Sequence, residues 1–210
     1  ADIVLRDYQT SMIQGCRAAM HRKVRRILLQ APTGAGKTAL ASFMAGQTAA
    51  SGKGVWFICH RAELVMQTSL TFRKFGIGHA FIAAGYPMNL RELVQVCSID
   101  TLKGRLATLI APKVAIIDEC HHANAAGWAL VVQWLFENGA YVIGLSATPR
   151  RLDGRGLGEH FDEMVLGPTV AWLIQEGHLA PYRAFIPDAP DMKGARKQMG
   201  DWRKADAAER

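Results

Sequence analysis

Two short clusters in this sequence hold the residue types that handle phosphate. The first is Ala31-Pro32-Thr33-Gly34-Ala35-Gly36-Lys37-Thr38. It fits the glycine-rich phosphate loop followed by Lys and Thr, except that Ala31 stands where the strict form has Gly. Gly34 and Gly36 let the backbone turn sharply, so that successive amides point inward at phosphate oxygens. A helix opening at Lys37 adds its positive end. Lys37 can reach the β- and γ-phosphates, and the Thr38 hydroxyl can ligate Mg²⁺. The loop Pro32, Thr33, Gly34, Ala35, Gly36, Lys37, Thr38 therefore implies binding of ATP or GTP. It does not name the reaction, because kinases, GTPases and motors share such loops.

The second cluster is Asp118-Glu119-Cys120-His121, at the end of the apolar run Val114-Ala115-Ile116-Ile117. An apolar strand delivering two adjacent carboxylates to its carboxyl end puts them where α/β sheets bind ligands. Asp118 suits Mg²⁺, held through water, and Glu119 suits the orientation and deprotonation of an attacking water. A second acid at this place favours hydrolysis over transfer. His121 is placed to hydrogen-bond across the site, linking nucleotide and moving loops. Cys120, His121 and His122 are adjacent, so their side chains splay apart, and no zinc site is expected.

Both clusters need elements to carry them. Apolar, β-rich runs at Arg26–Gln30, Val55–Cys59, His79–Ala83, Val94–Ser98, Val114–Asp118 and Tyr141–Ser146 alternate with stretches long enough for helices, at Thr38–Ala50, Ala62–Phe75 and Ala125–Asn138. This alternation predicts an α/β fold, a mainly parallel sheet with helices on both faces. After Pro149 the run RRLDGRGLG is dense in Arg and Gly and reads as an exposed loop. A short amphipathic stretch, Val170–Glu176, and a strand at Tyr182–Ile186 are expected next. From Pro187 onward there is too little apolar material for a core, which predicts a linker or partly disordered tail.

The 210 residues are 50% hydrophobic, enough for one sizeable domain. No stretch approaches the roughly 18 uninterrupted apolar residues of a membrane span. The amino terminus has no secretory signal, so a soluble, cytoplasmic protein is expected. Cys16, Cys59, Cys97 and Cys120 lie far apart and read as reduced, buried thiols. With 25 Lys and Arg against 18 Asp and Glu, the formal charge of +7 favours a polyanionic partner without requiring one.

Together these motifs resemble the first RecA-like, P-loop NTPase domain of a superfamily 2 helicase of the DExH kind. APTGAGKT matches motif I, Asp118-Glu119-Cys120-His121 matches motif II, and Ser146-Ala147-Thr148-Pro149 matches motif III. The resemblance implies that Ser146 and Thr148 couple hydrolysis to movement. Leu5-Arg6-Asp7-Tyr8-Gln9 resembles the adenine-recognition element, which implies Gln9 on the adenine edge with Arg6 or Tyr8 against the base. Cys59-His60-Arg61-Ala62-Glu63-Leu64 resembles motif Ia and Ser98-Ile99-Asp100-Thr101-Leu102 motif Ib. It implies that His60, Arg61 and Thr101 touch the sugar-phosphate backbone of one strand. LRDYQ, HRAELV, IIDECHH, GLSATPRR and LIQEGHLAPY look most like the RadD-like and phage-encoded group of DNA-dependent ATPases.

The expectation from this resemblance is the ATP-binding half of a nucleic-acid-dependent ATPase, with DNA favoured over RNA and with ATP and Mg²⁺ as its ligands. Residues 1–186 would form the RecA-like domain and 187–210 a linker toward a second RecA-like domain whose arginines complete the site. Such a piece should bind ATP but hydrolyse it weakly alone, since an arginine finger is worth roughly 10³ to 10⁵ in rate in related hydrolases. Arg150 and Arg151 follow motif III and read as nucleic-acid or interdomain contacts. Two other readings stay open: an ATP-binding scaffold or sensing module without motor action, and the motor of a restriction or remodelling enzyme.

Overall fold

A strand that is apolar at successive positions can be buried only if both of its faces are covered, and this sheet is built in that way. The computed structural model describes residues 3–120, 125–148, 157–181, 197–198 and 201–202. The strands are β1 (Arg26–Gln30), β2 (Val55–Cys59), β3 (Ala80–Ile82), β4 (Val94–Ser98), β5 (Val114–Ile117), β6 (Tyr141–Ser146) and β7 (Glu163–Leu166). They form one seven-stranded sheet in the order β3-β4-β2-β5-β6-β1-β7, and every pairing is parallel.

Successive residues point to opposite faces, so each strand feeds two cores. Ile27, Leu29, Val55, Phe57, Ile116, Ile143 and Leu145 enter one core, with buried residues of α1 (Asp7–His21), α2 (Lys37–Ala50) and α3 (Ala62–Lys74). Leu28, Trp56, Ile58, Ala115, Ile117 and Val142 enter the other, with α4 (Ile99–Lys103) and α5 (Ala125–Glu137). Burying each such large side chain contributes about 1.5–3 kcal/mol. The last helix, α6 (Val170–Gln175), is stapled at its start by Thr169, whose hydroxyl accepts from Trp172 N at 3.1 Å, and it sends Leu173 into the first core.

The expected strands at Val114–Asp118 and His79–Ala83 are trimmed to Val114–Ile117 and Ala80–Ile82. Asp118 leaves the ladder with one last bond, its N–H to Ile58 O at 3.1 Å. Helix α1 and strand β7 are among the elements that were not expected, as is α4. Helix α1 buries Met12, Ile13, Cys16 and Ala19, a helical stripe whose small and sulfur-bearing members give a weak hydrophobic signal. Strand β7 is an edge strand with alternating burial, paired only to β1, and Glu163 in it obscures the apolar pattern. Leu157, near the end of the stretch expected to be an exposed loop, is instead buried in the second core.

His121, Pro149, Arg150, Arg151 and the strand expected at Tyr182–Ile186 lie outside the described residues. The chain divides into two units, Ala1–Leu179 and Ala180–Arg210. Within the second, β8 (Lys197–Gln198) and β9 (Asp201–Trp202) pair antiparallel.

Candidate nucleotide site and strand-tracking loops

All seven strands run the same way, so the loops that follow them meet along one edge of the sheet. The phosphate loop leaves β1, the acidic pair leaves β5, and Ser146 ends β6, which lies between those two strands. The three motifs are therefore neighbours through sheet order, although more than a hundred residues separate Gly34 from Ser146.

The phosphate loop is closed by Ala35 N donating to Pro32 O at 3.1 Å. Gly34 (φ 86°) and Gly36 (φ 80°) both occupy the left-handed region. Gly36 is the residue before α2, which opens at Lys37, so the first amides of that helix have no carbonyl a turn earlier to bond and face the loop. Gly36 is also fixed by space, since a Cβ there would lie 2.3 Å from Gln9 Nε2. Over Gly34 lies Leu179, whose Cδ2 would stand 2.4 Å from an added Cβ.

The upstream element braces this loop. Tyr8 Oη and Gln9 Nε2 both donate to Ala35 O, at 3.2 and 3.0 Å, and Gln9 Oε1 accepts from Arg6 N at 2.9 Å. Gln9 is only 5% exposed, so its amide is engaged at both ends within the protein. Arg6 is exposed at the start of α1. The Tyr8 ring meets Trp172 edge-on at 5.8 Å and His178 at 5.2 Å. Trp172, His178 and Leu179 were not singled out from the sequence, because only folding lays the end of this unit over residues 8 and 34.

Lys37 Nζ donates to Ala31 O at 3.3 Å and lies 3.4 Å from Glu119 Oε1. Glu119 adopts φ 45°, a left-handed conformation unusual for a non-glycine residue, and its N–H bonds Asp118 Oδ1 at 3.0 Å. Burial, then the Glu119 charge, push the Asp118 carboxyl above its ordinary range, while the Glu119 amide and Lys37 oppose the shift. A buried carboxylate beside a second one gains from a cation, and with the Thr38 hydroxyl it supplies the hard oxygen donors that Mg²⁺ prefers. Cys120 is buried in the second core, turned away from this chemistry.

Motif III is tied to the phosphate strand. Ala31 N donates to Ser146 O at 2.9 Å and Gln30 Nε2 to Ala147 O at 3.0 Å. Buried Ser146 organises its own turn: its Oγ accepts from Thr148 N at 3.1 Å and donates to Thr148 O. Farther along the edge, β2 and β4 pair with Cys59 opposite Ser98, which brings the two remaining loops side by side. His60 and the exposed Arg61 follow β2, with Arg61 at the start of α3. Thr101 lies in α4 after β4, its Oγ1 accepting from Ala84 N at 3.0 Å.

The family described as Type III restriction enzyme, res subunit, matches residues 2–151, most of this chain. The chain belongs to that family. It is 34% identical over 177 residues to the 51.5 kDa protein of a Lactococcus phage (isolate 7-9), covering 83% of this chain and 36% of that protein. It is 32% identical over 189 residues to IRC3 of Saccharomyces cerevisiae, named as an ATP-dependent helicase, covering 82% of this chain and 27% of the relative. The chain thus spans about a third of the relatives it matches. In structure it resembles LlaBIII, titled an ATP-dependent Type ISP restriction-modification enzyme bound to DNA, with a TM-score of 0.64 and 17% identity, covering 83% of this chain and 16% of the other. That likeness establishes the RecA-like fold of the helicase domains.

Proposed function

We propose that this chain is the ATP-binding half of a nucleic-acid-dependent ATPase that couples hydrolysis to movement along DNA. The observation that carries this reading is the shared edge: phosphate loop, acidic pair and motif III on β1, β5 and β6, and two further loops, holding His60, Arg61 and Thr101, on the adjacent β2 and β4. A kinase has no use for the second set of loops.

In this reading Gly34, Gly36 and the first amides of α2 hold the phosphates, and Lys37 leaves Glu119 for the β- and γ-oxygens. Thr38 and Asp118 hold Mg²⁺. When bound, the ion neutralises charge that builds up on the phosphates. Glu119, released from Lys37, orients the attacking water and accepts its proton. His121 joins this set from the acidic loop. Pro32, Thr33 and Ala35 shape the cradle. Arg6 and Gln9 meet the adenine, and the Gln9 amide does so while still bracing Ala35. Ser146 and Thr148 carry the state of the phosphates, through the Ala31 and Gln30 bonds, toward His60, Arg61 and Thr101 on the strand.

Residues 1–186 form the RecA-like domain of this proposal, and 187–210 lead to a second RecA-like domain of the full chain. Without that domain's arginines the isolated piece turns over slowly. A cytoplasmic setting fits four unpaired, buried thiols; no helix among the described residues is long and apolar enough to cross a membrane. The restriction-enzyme motor remains a second reading, supported by the family match. An inert scaffold is disfavoured by a lysine and a water-orienting carboxylate kept 3.4 Å apart.

The test is steady-state ATP hydrolysis by this chain, Lys37→Ala and Glu119→Gln, each with single-stranded DNA, duplex DNA and RNA. Losing one charge-assisted contact costs about 1.5–3 kcal/mol, so Lys37→Ala should bind ATP about 10- to 100-fold more weakly. Wild-type turnover that no polymer stimulates, including in a chain extended past Arg210, would sink the motor reading.

A further inference from the structure

The edge of the sheet opposite the nucleotide loops carries a second charged feature. Arg17 and His21 on α1, Lys23 just after it, Lys53 before β2 and Lys113 before β5 line one cleft of about 420 Å³, with Tyr141 as part of its wall. Five basic side chains from three stretches of chain, 17–23, 53 and 113, converge there, and no Asp or Glu lines it. Among the described residues, Arg17, Lys23, Lys53 and Lys113 form no ion pair, whereas the nearby Arg22 and Arg26 are neutralised by Glu163 and Asp162. Lys113 Nζ stands 5.1 Å from the centre of the Tyr141 ring, which holds the ammonium at the wall of the cleft.

Lys23 supplies an independent sign. Helix α1 ends with Lys23 N bonded to Met20 O at 2.9 Å and Val24 N to Ala19 O at 3.1 Å, the double closure that calls for a left-handed residue. That residue is Lys23, at φ 69°, where glycine would sit without strain. Pairing with the negative end of a helix accounts for His21 in the last turn of α1. It does not account for Lys113, which enters a strand, or for a lysine in a conformation that favours glycine. Strain kept at an exposed cation points to something the cation does.

We propose that this cleft is a second phosphate-backbone contact, holding nucleic acid on the face of the domain away from the ATP site. The proposal rests on the nucleic-acid reading above and deepens it: the polymer would touch the motor loops on one edge and this anchor on the other. Strand rise puts the two edges roughly 15–20 Å apart along the sheet.

The experiment is fluorescence anisotropy with a labelled duplex and a labelled single strand over a NaCl series. It compares wild type, Arg61→Ala and a triple variant, Lys23→Gly with Lys53→Gln and Lys113→Gln. Lys23→Gly relieves strain, so loss of folding does not confuse the result, and ATP affinity serves as the internal control. Each neutralised phosphate contributes about 0.9 to the slope of log K against log salt, so the triple variant should lose about 2 to 3 from that slope with ATP binding unchanged. A wild-type slope in the triple variant overturns the anchor and leaves the motor reading standing. No polymer binding by wild type overturns both. Loss of binding in the triple variant with wild-type binding in Arg61→Ala supports the anchor and removes Arg61 from the track.

Discussion

Lys37 Nζ lies 3.4 Å from Glu119 Oε1, an ion pair that ties the glycine-rich loop to the acidic pair. Under the proposed function this pair acts as a latch: ATP takes the lysine from Glu119 as the γ-phosphate arrives. Glu119→Gln removes the competitor while keeping the shape. We expect ATP to bind several-fold more tightly to this variant in calorimetry. Turnover should fall by about 10² or more, the usual contribution of a positioned base. Equal affinity in the two proteins would show that the latch does not compete with nucleotide.

Asp118 makes the stability of the chain sensitive to pH. Its folded carboxyl is raised, chiefly by burial and then by Glu119, so the folded chain holds this proton more tightly than the unfolded chain does. The contribution to stability is therefore greatest at low pH and is lost as pH rises from about 3.8, the ordinary value, through the raised one. Asp118→Asn cannot ionise. It should melt higher than wild type at neutral pH without ligand, the gap should close toward acid pH, and MgATP should no longer raise its melting point. A lower melting point at pH 7 would contradict this account.

Glycine at position 36 is required twice, by φ 80° and by the Gln9 amide 2.3 Å from any added Cβ. Gly52, at φ 73° with open space around it, carries the conformational requirement alone. Left-handed backbone costs a side chain about 1–2 kcal/mol. Urea unfolding should show that loss for Gly52→Ala with ATP binding intact. Gly36→Ala should lose more, and its ATP affinity should collapse because Gln9 is pushed off Ala35. Equal effects on stability and binding in both variants would mean that the contact with Gln9 is unimportant.

The four thiols are all buried and unpaired. Burial pushes Cys16 and Cys59 up to about 12 and Cys97 and Cys120 well above the ordinary range. None should react with a thiol reagent at pH 8 in the native chain, and all four should react in urea. An unfolded thiol loses its proton near 9 while the folded one keeps it, so stability should fall as pH rises past about 9. A thiol that titrates rapidly in the native state would place that cysteine nearer solvent than the fold allows.

Local chemistry marks the candidate phosphate loop and acidic pair in the sequence itself, through glycines, a lysine and carboxylates at fixed spacing. The strands Arg26–Gln30, Val55–Cys59, Val94–Ser98 and Tyr141–Ser146 were legible to the residue, since short, mostly apolar runs between helical stretches mark strands buried on both faces. Helix α1 and strand β7 were not. Their small, charged or half-exposed residues become informative only against the partners they pack on. The order β5-β6-β1, which brings Ser146 between Lys37 and Asp118, is a property of how strands pair across long stretches of chain. The same holds for the cover of Leu179 over Gly34, and for the meeting of Lys23, Lys53 and Lys113 at one cleft. Residue spacing is set by covalent geometry and can be read along a chain. Juxtaposition of distant residues is set by the burial of apolar faces, and only the folded sheet decides which of them meet.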